Sequence, residues 1–318
     1  MPTPGPGVAI SFSQVNTEFV LTTPSPMNVN YRFAPGTYTP ATPAIPTTPA
    51  GIFPIDVLHG RTKAGGGGVL SPFSALYTTS STWNAPGTGN ISVLVVAGGG
   101  AGGNGPGIRS GGGGAGGYKF FPASFPVTAG TTYYFTVGTA GAAPTGVNVN
   151  GAPGTPSKIT LTSYAGTIVL SSEVTGGGGG GGRGAGAPGG SGGGNNAIGG
   201  AAGTGIAGQG FPGGTSAPAR GGGGGGMGTS GGPGPAPTVA QSIGGLGLAF
   251  TVGGVSYSIG GGGGGGGYSG AFAPVWGGGR STPTIVEANK YGAGGHGRAP
   301  TTTTGGAGFP GAIIIAYP

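Results

Sequence analysis

The sequence predicts a mainly β and irregular fold, with short β-strands anchoring a glycine-rich body of packed polyglycine II helices and almost no α-helix. Three observations carry this expectation. Glycine supplies 88 of the 318 residues and comes in blocks, at 65–68, 111–114, 176–182, 221–226 and 260–267. Apolar, β-branched runs stand between the blocks. Charged residues make up only 5% of the chain, and cysteine is absent.

Each alternative reading of so much glycine fails on one of these points. A disordered tail combines low hydrophobicity with high charge, whereas this chain has 35% hydrophobic residues and a mean hydropathy of +0.13. Collagen needs glycine at every third position, and blocks do not provide it. A flexible linker has no use for strands that return after every glycine block. Without cysteine there are no disulfides, so packing and hydrogen bonds must hold the fold.

Residues 1–64 are rich in proline and threonine, with YTPATPAIPTTPAG at 38–51 reading as an extended spacer. Residues 65–90 read as a connector ending in the turn-rich NAPGTGN. A body over 91–318 then opens with ISVLVVA at 91–97 and closes with AIIIAY at 312–317, the two densest apolar runs. These two are expected to be neighbours, since each needs partners for its backbone and an apolar layer for its side chains. Further strands are expected at 131–138, 157–163, 166–174 and 248–260, the last folded on itself at Gly253 and Gly254.

Glycine blocks held at both ends by packed strands have an ordered form available to them, the left-handed threefold extended helix rising about 3.1 Å per residue. That helix makes no internal hydrogen bonds, so its amides and carbonyls need partners outside it. Without Cβ atoms, neighbouring helices can bond backbone to backbone. Ordering costs about 1–2 kcal/mol per residue, so a lone run melts and several must pack together. The prolines at 188, 212, 218, 233, 235 and 237 share the required φ but donate nothing, which suits outer layers and bends.

The ionisable groups argue against catalysis. Glu18, Asp56, Glu173, Glu287, His59 and His296 form no triad or metal-ligand spacing, so neither an enzyme nor a metal centre is expected, and no cofactor is implied. GxGxxG matches arise by chance in such a sequence, and no GK[ST] follows any of them. The net charge of +7 comes from eleven basic residues spread along the chain, with only His59, Arg61 and Lys63 close together, which argues against nucleic acid as a partner. No run of 18 apolar residues and no basic-then-apolar leader occurs, so neither membrane insertion nor a signal peptide is expected.

Two stretches resemble a known group. AISFSQVNTEF at 9–19, PMNVNYRFAPGTYTP at 26–40 and GIFPIDVLHGRTK at 51–63 look like a segment of tailed-phage structural proteins with an ISFSQIxxEF opening. NVN and LHG stand here in place of that pattern's SLSEY-like and FYG residues. The remainder, from VLVVAGGGAGGNGPG to GGAGFPGAIIIAYP, resembles the glycine-rich domain of phage tail and fibre proteins and the distal adhesins of long tail fibres, whose polyglycine helices carry recognition loops at one end.

The resemblance implies a virion protein of tail-fibre or tail-tip type, made in the host cytoplasm and carried on the tail or an appendage. Residues 1–64 would attach it to other tail or virion proteins, with Ile10, Phe12, Phe19, Tyr31 and Leu58 in that contact. The body would meet a host-surface glycan or outer-membrane protein. The alternative is a purely architectural virion component, such as a decoration, collar or minor tail element, without receptor contact. Both a single chain and a homotrimer are compatible with the sequence. The non-glycine insertions 145–153, 195–198, 272–276 and 285–291 are candidate tips. Among the aromatics, Tyr268, Phe272, Trp276 and Tyr291 are candidates either for receptor contact or for capping the bundle against water.

Overall fold

The computed structural model describes residues 73–105, 110–217, 220–234, 242–266, 291–298 and 304–317, all within the unit Gly68–Pro318. They form nine strands and one short 3-10 turn, with no α-helix among them. The strands are β1 (Phe73–Tyr77), β2 (Ser81–Asn84), β3 (Gly89–Val96), β4 (Tyr118–Val127), β5 (Thr132–Thr136), β6 (Lys158–Leu161), β7 (Leu248–Val252), β8 (Val255–Ile259) and β9 (Ala312–Tyr317).

β1, β9, β3 and β4 make one antiparallel sheet in that order; β2, β5 and β6 make a second; β7 and β8 form a hairpin. The two dense apolar runs pair directly, with Val93 opposite Ile315 and Val95 opposite Ile313. Both faces of this pair are covered, which explains why the runs are continuous instead of alternating. Ile91, Val93, Val95, Ile313 and Ile315 pack against Tyr133, Phe135 and Ile159 of the second sheet. Leu94, Val96, Ile314 and Ala316 pack on the other side against Val252, Tyr257 and Ile259 of the hairpin. Gly253 and Gly254 turn that hairpin at φ +58° and +78°, the left-handed pair a two-residue turn requires.

One expected strand needs correction, and three strands lie where the sequence reading placed none. The run 166–174 is not a strand: it touches its neighbours through isolated bridges, Ile168 to Thr160 and Val174 to Ser157, around a 3-10 turn at Val169–Ser171. Ser172 takes over the ladder's role there, its Oγ accepting from Ile159 N–H at 3.0 Å and donating to Ile159 C=O at 3.1 Å. β1 and β2 lie within the stretch 65–90 read as connector. β4 is the third; it carries Pro122 and Pro126 and lies at the sheet edge, where a missing donor is tolerated.

The glycine segments pack as threefold rods, and the segment 110–117 lies at the centre of them. Its amides donate in strict rotation to three different neighbours. Gly111, Gly114 and Gly117 bond to Gly181, Gly178 and Thr175; Gly112 and Ala115 to Gly222 and Gly225; Gly113 and Gly116 to Gly295 and Gly292. Its carbonyls accept from three others, with Ala97, Gly100 and Gly103 on one side, Ser191 and Gly194 on a second, and Gly263 on a third. A period of three with six surrounding segments is the hydrogen-bond pattern of packed polyglycine II helices.

Cβ atoms have no room in this lattice. Ideal Cβ positions at Gly111, Gly112 and Gly113 would lie 1.9, 2.0 and 2.1 Å from the carbonyl oxygens of Gly194, Gly263 and Gly100. Ala115 is accommodated because the row through Gly112 and Gly263 ends beside it, and its methyl joins the buried cluster containing Met227 and Ile259. Pro188, Pro212 and Pro233 are exposed, on the outer layer as expected, while the prolines at 218, 235 and 237 lie outside the described residues.

Candidate functional site

The rods have two unlike ends. β3 continues into the rod 97–105, the rod 110–117 into β4, β8 into the rod 260–266, and the rod 305–311 into β9, so all strands gather at one end. The opposite end is made of rod termini and turns. Gly105 and Ser110, Ala217 and Arg220, Gly234 and Ser242, and Arg298 and Gly305 are rod ends at this connector end. The turns at 142–149, 183–185 and 196–200 belong to the same end.

Asparagines terminate the rods here. Asn104 Nδ2 donates to Gly146 C=O at 2.9 Å, Asn150 Oδ1 accepts from Gly182 N–H at 2.8 Å, and Asn196 Nδ2 reaches Gly182 C=O while its Oδ1 accepts from Ile198 N–H at 2.8 Å. A short amide side chain satisfies backbone groups that the next rod no longer reaches. Their oxygens are not all used: Asn104 Oδ1 and Asn195 Oδ1 are buried with no donor in the protein. Val147, Val149, Ile198 and Ile243 are exposed close by.

Arginines also gather at this end although they are scattered in sequence. Arg298 donates through Nη1 to Gly105 C=O at 3.3 Å and through its amide to Ser110 Oγ at 2.6 Å. Gly105 lies against Gly182 C=O, next to the exposed Arg183, and Ser110 C=O lies against Gly221, next to the buried Arg220. His296, two residues before Arg298, rests its ring on Gly306, and burial pushes its pKa below the ordinary histidine value.

Of the candidate aromatics, only Tyr291 lies among the described residues. It is half-buried at the strand end, its carbonyl accepting from Gly260 N–H and its side chain packed on the cluster of Val252 and Ile259. Tyr268, Phe272 and Trp276, and the attachment candidates Ile10, Phe12, Phe19, Tyr31 and Leu58, lie outside the described residues. The candidate tips 145–153 and 195–198 both fall at the connector end, while 272–276 and most of 285–291 are outside the described residues. An open groove of about 490 Å3 at the strand end is lined by Tyr118, Phe120, Phe250, Lys119 and Leu170. Among the described residues no three His, Asp or Glu side chains could share a metal ion, and no helix is long and apolar enough to cross a membrane.

Strands at one end and a six-neighbour glycine lattice beyond them define a glycine-rich bundle domain. The chain belongs to the glycine-rich domain family, whose sequence pattern matches residues 75–318. No curated protein matches the sequence.

Sequence reasoning missed the arginine grouping, because separations of 37 and 78 residues hide a proximity that only the rod order creates. The asparagine layer did leave a trace, since GGNG and GGNN place Asn104 and Asn195 at the end of a glycine run.

Proposed function

We propose that this protein is a structural component of a bacteriophage particle, of tail-fibre or tail-tip type. Residues 1–64 join it to other virion proteins, and the glycine bundle carries its connectors toward a host surface. The observation that carries the reading is the division of the bundle into a hydrogen-bonded lattice and a separate end of rod termini and turns. Binding proteins commonly place variable contacts on loops and leave a rigid frame to hold them. Here the interior of the frame is held by backbone atoms, so side chains in the turns beyond the asparagine layer can change with little effect on the lattice. The likeness of residues 9–63 to tailed-phage structural segments supports the attachment role.

Two measurements test this. A chain lacking residues 1–64 should stay folded but fail to join virions, and normal incorporation of the truncated protein refutes the attachment role. Purified full-length protein should compete with phage for adsorption to host cells. No effect at saturating dose removes the receptor role and leaves an architectural component.

A further inference from the structure

The described body carries its arginines at one end of the bundle, while its two lysines, Lys119 and Lys158, lie on strands at the other. Arg183, Arg220 and Arg298 lie at the connector end, linked through Gly182, Gly105, Ser110 and Gly221 across adjoining rods. Among the described residues the only carboxylate is Glu173, exposed at the strand end, where Val174 bonds to Ser157 and Thr175 to Gly117. The connector end thus holds three of the five described basic side chains with no described carboxylate beside them, whereas Lys119 and Lys158 share the strand end with Glu173. Guanidinium groups match phosphate oxygens in paired hydrogen bonds better than any other side chain.

The neighbouring features narrow the ligand. Val147, Val149, Ile198 and Ile243 give this end an aliphatic surface, exposed by 57, 44, 53 and 48%. Asn104 Oδ1 and Asn195 Oδ1, in the same layer, are acceptors without a protein donor. Nucleic acid is a poorer fit, since its binders contact many phosphates and stack bases on aromatic rings. Most of the described aromatic rings instead belong to the two apolar cores of the sheets and the hairpin. We infer that the connector end binds a phosphorylated glycan of a cell envelope, with Arg183 and Arg298 holding the phosphate and the aliphatic groups lying against sugar rings. This rests on the host-surface reading above.

The test uses the full-length protein and two immobilised probes, phosphomannan and the same mannan after phosphate removal. Phosphomannan should bind more tightly by at least about tenfold, the worth of one charge-assisted contact, and the difference should shrink as salt rises. Arg183→Gln and Arg298→Gln should each cost about tenfold with an unchanged melting temperature, while Lys119→Gln at the strand end should cost nothing. Equal binding to both mannans, equal loss from Lys119→Gln, or tighter binding to duplex DNA than to phosphomannan overturns the inference. Adsorption competition is read separately, so a failure here is distinguishable from a failure of the receptor role.

Discussion

Replacing Gly113 by alanine tests the lattice at its centre. The added Cβ would sit 2.1 Å from Gly100 C=O, whereas ordinary contact begins near 3.4 Å. The rod 97–103 must therefore retreat by 1.3 Å, the difference between those distances. That rod is held to the central one by Ala97 to Gly117 at 2.9 Å, Gly100 to Gly114 at 2.9 Å and Gly103 to Gly111 at 3.0 Å. A retreat of that size takes all three beyond hydrogen-bonding distance. Each lost bond costs about 1 kcal/mol net, and more where a buried group is left without a partner, so the total is about 3–5 kcal/mol. For a domain of this size that lowers the melting temperature by roughly 6–20 °C. Gly184→Ala is the matched control: its Cβ meets nothing within 4 Å and its φ is not positive, so restricting the unfolded chain should leave stability unchanged or raise it by about 0.4–1 kcal/mol. Thermal unfolding by circular dichroism reads both. Equal melting of Gly113→Ala, Gly184→Ala and the parent protein refutes close rod packing.

Other perturbations have calculable signs. Burial lowers the pKa of His296, so the unfolded chain binds the proton more readily; stability is full above the ordinary histidine pKa of about 6.5 and falls as pH drops below it, by at most about 1.4 kcal/mol per pH unit. Denaturant melts of the parent and His296→Gln between pH 7 and 5 should diverge in that direction, and parallel curves contradict the assignment. In the hairpin turn, Gly254→Ala should cost about 1–2 kcal/mol for its left-handed backbone, and Gly254→Asn much less, as measured by urea unfolding. Gly260→Ala should be worse than either, because its Cβ meets Met227 Sδ at 2.0 Å at φ +69°, where the hairpin becomes a rod; loss of soluble folded protein is the readout.

The sequence made some parts of this fold legible and hid others for physical reasons. ISVLVVA and AIIIAY announced a strand pair buried on both faces, and adjacent glycines marked the hairpin turn. β1 was hidden because its signal is alternation in a Ser- and Thr-rich context, with Phe73, Ala75 and Tyr77 half-buried and Ser74 and Leu76 exposed. GTIVLSSEV misled because its β-branched residues read as a ladder, while Ser172 supplies the bonds that a strand would have made. The rods were legible as a class, since blocks of glycine between strands leave few ordered options. Their neighbours were not, because a residue without a side chain carries no code for its partner. The order is set by the few residues that interrupt the blocks, such as Ala115, which marks where a row ends, and Asn196, which closes one.

Amide hydrogen exchange on the full-length protein tests the central claim most directly. Amides at 111–117, 177, 178, 180, 181, 222–226, 262, 263, 265 and 266 should exchange as slowly as those of β3 and β9, because each is bonded within the lattice. Exchange in these segments as fast as at Gly184 or Gly208 would contradict a hydrogen-bonded polyglycine bundle.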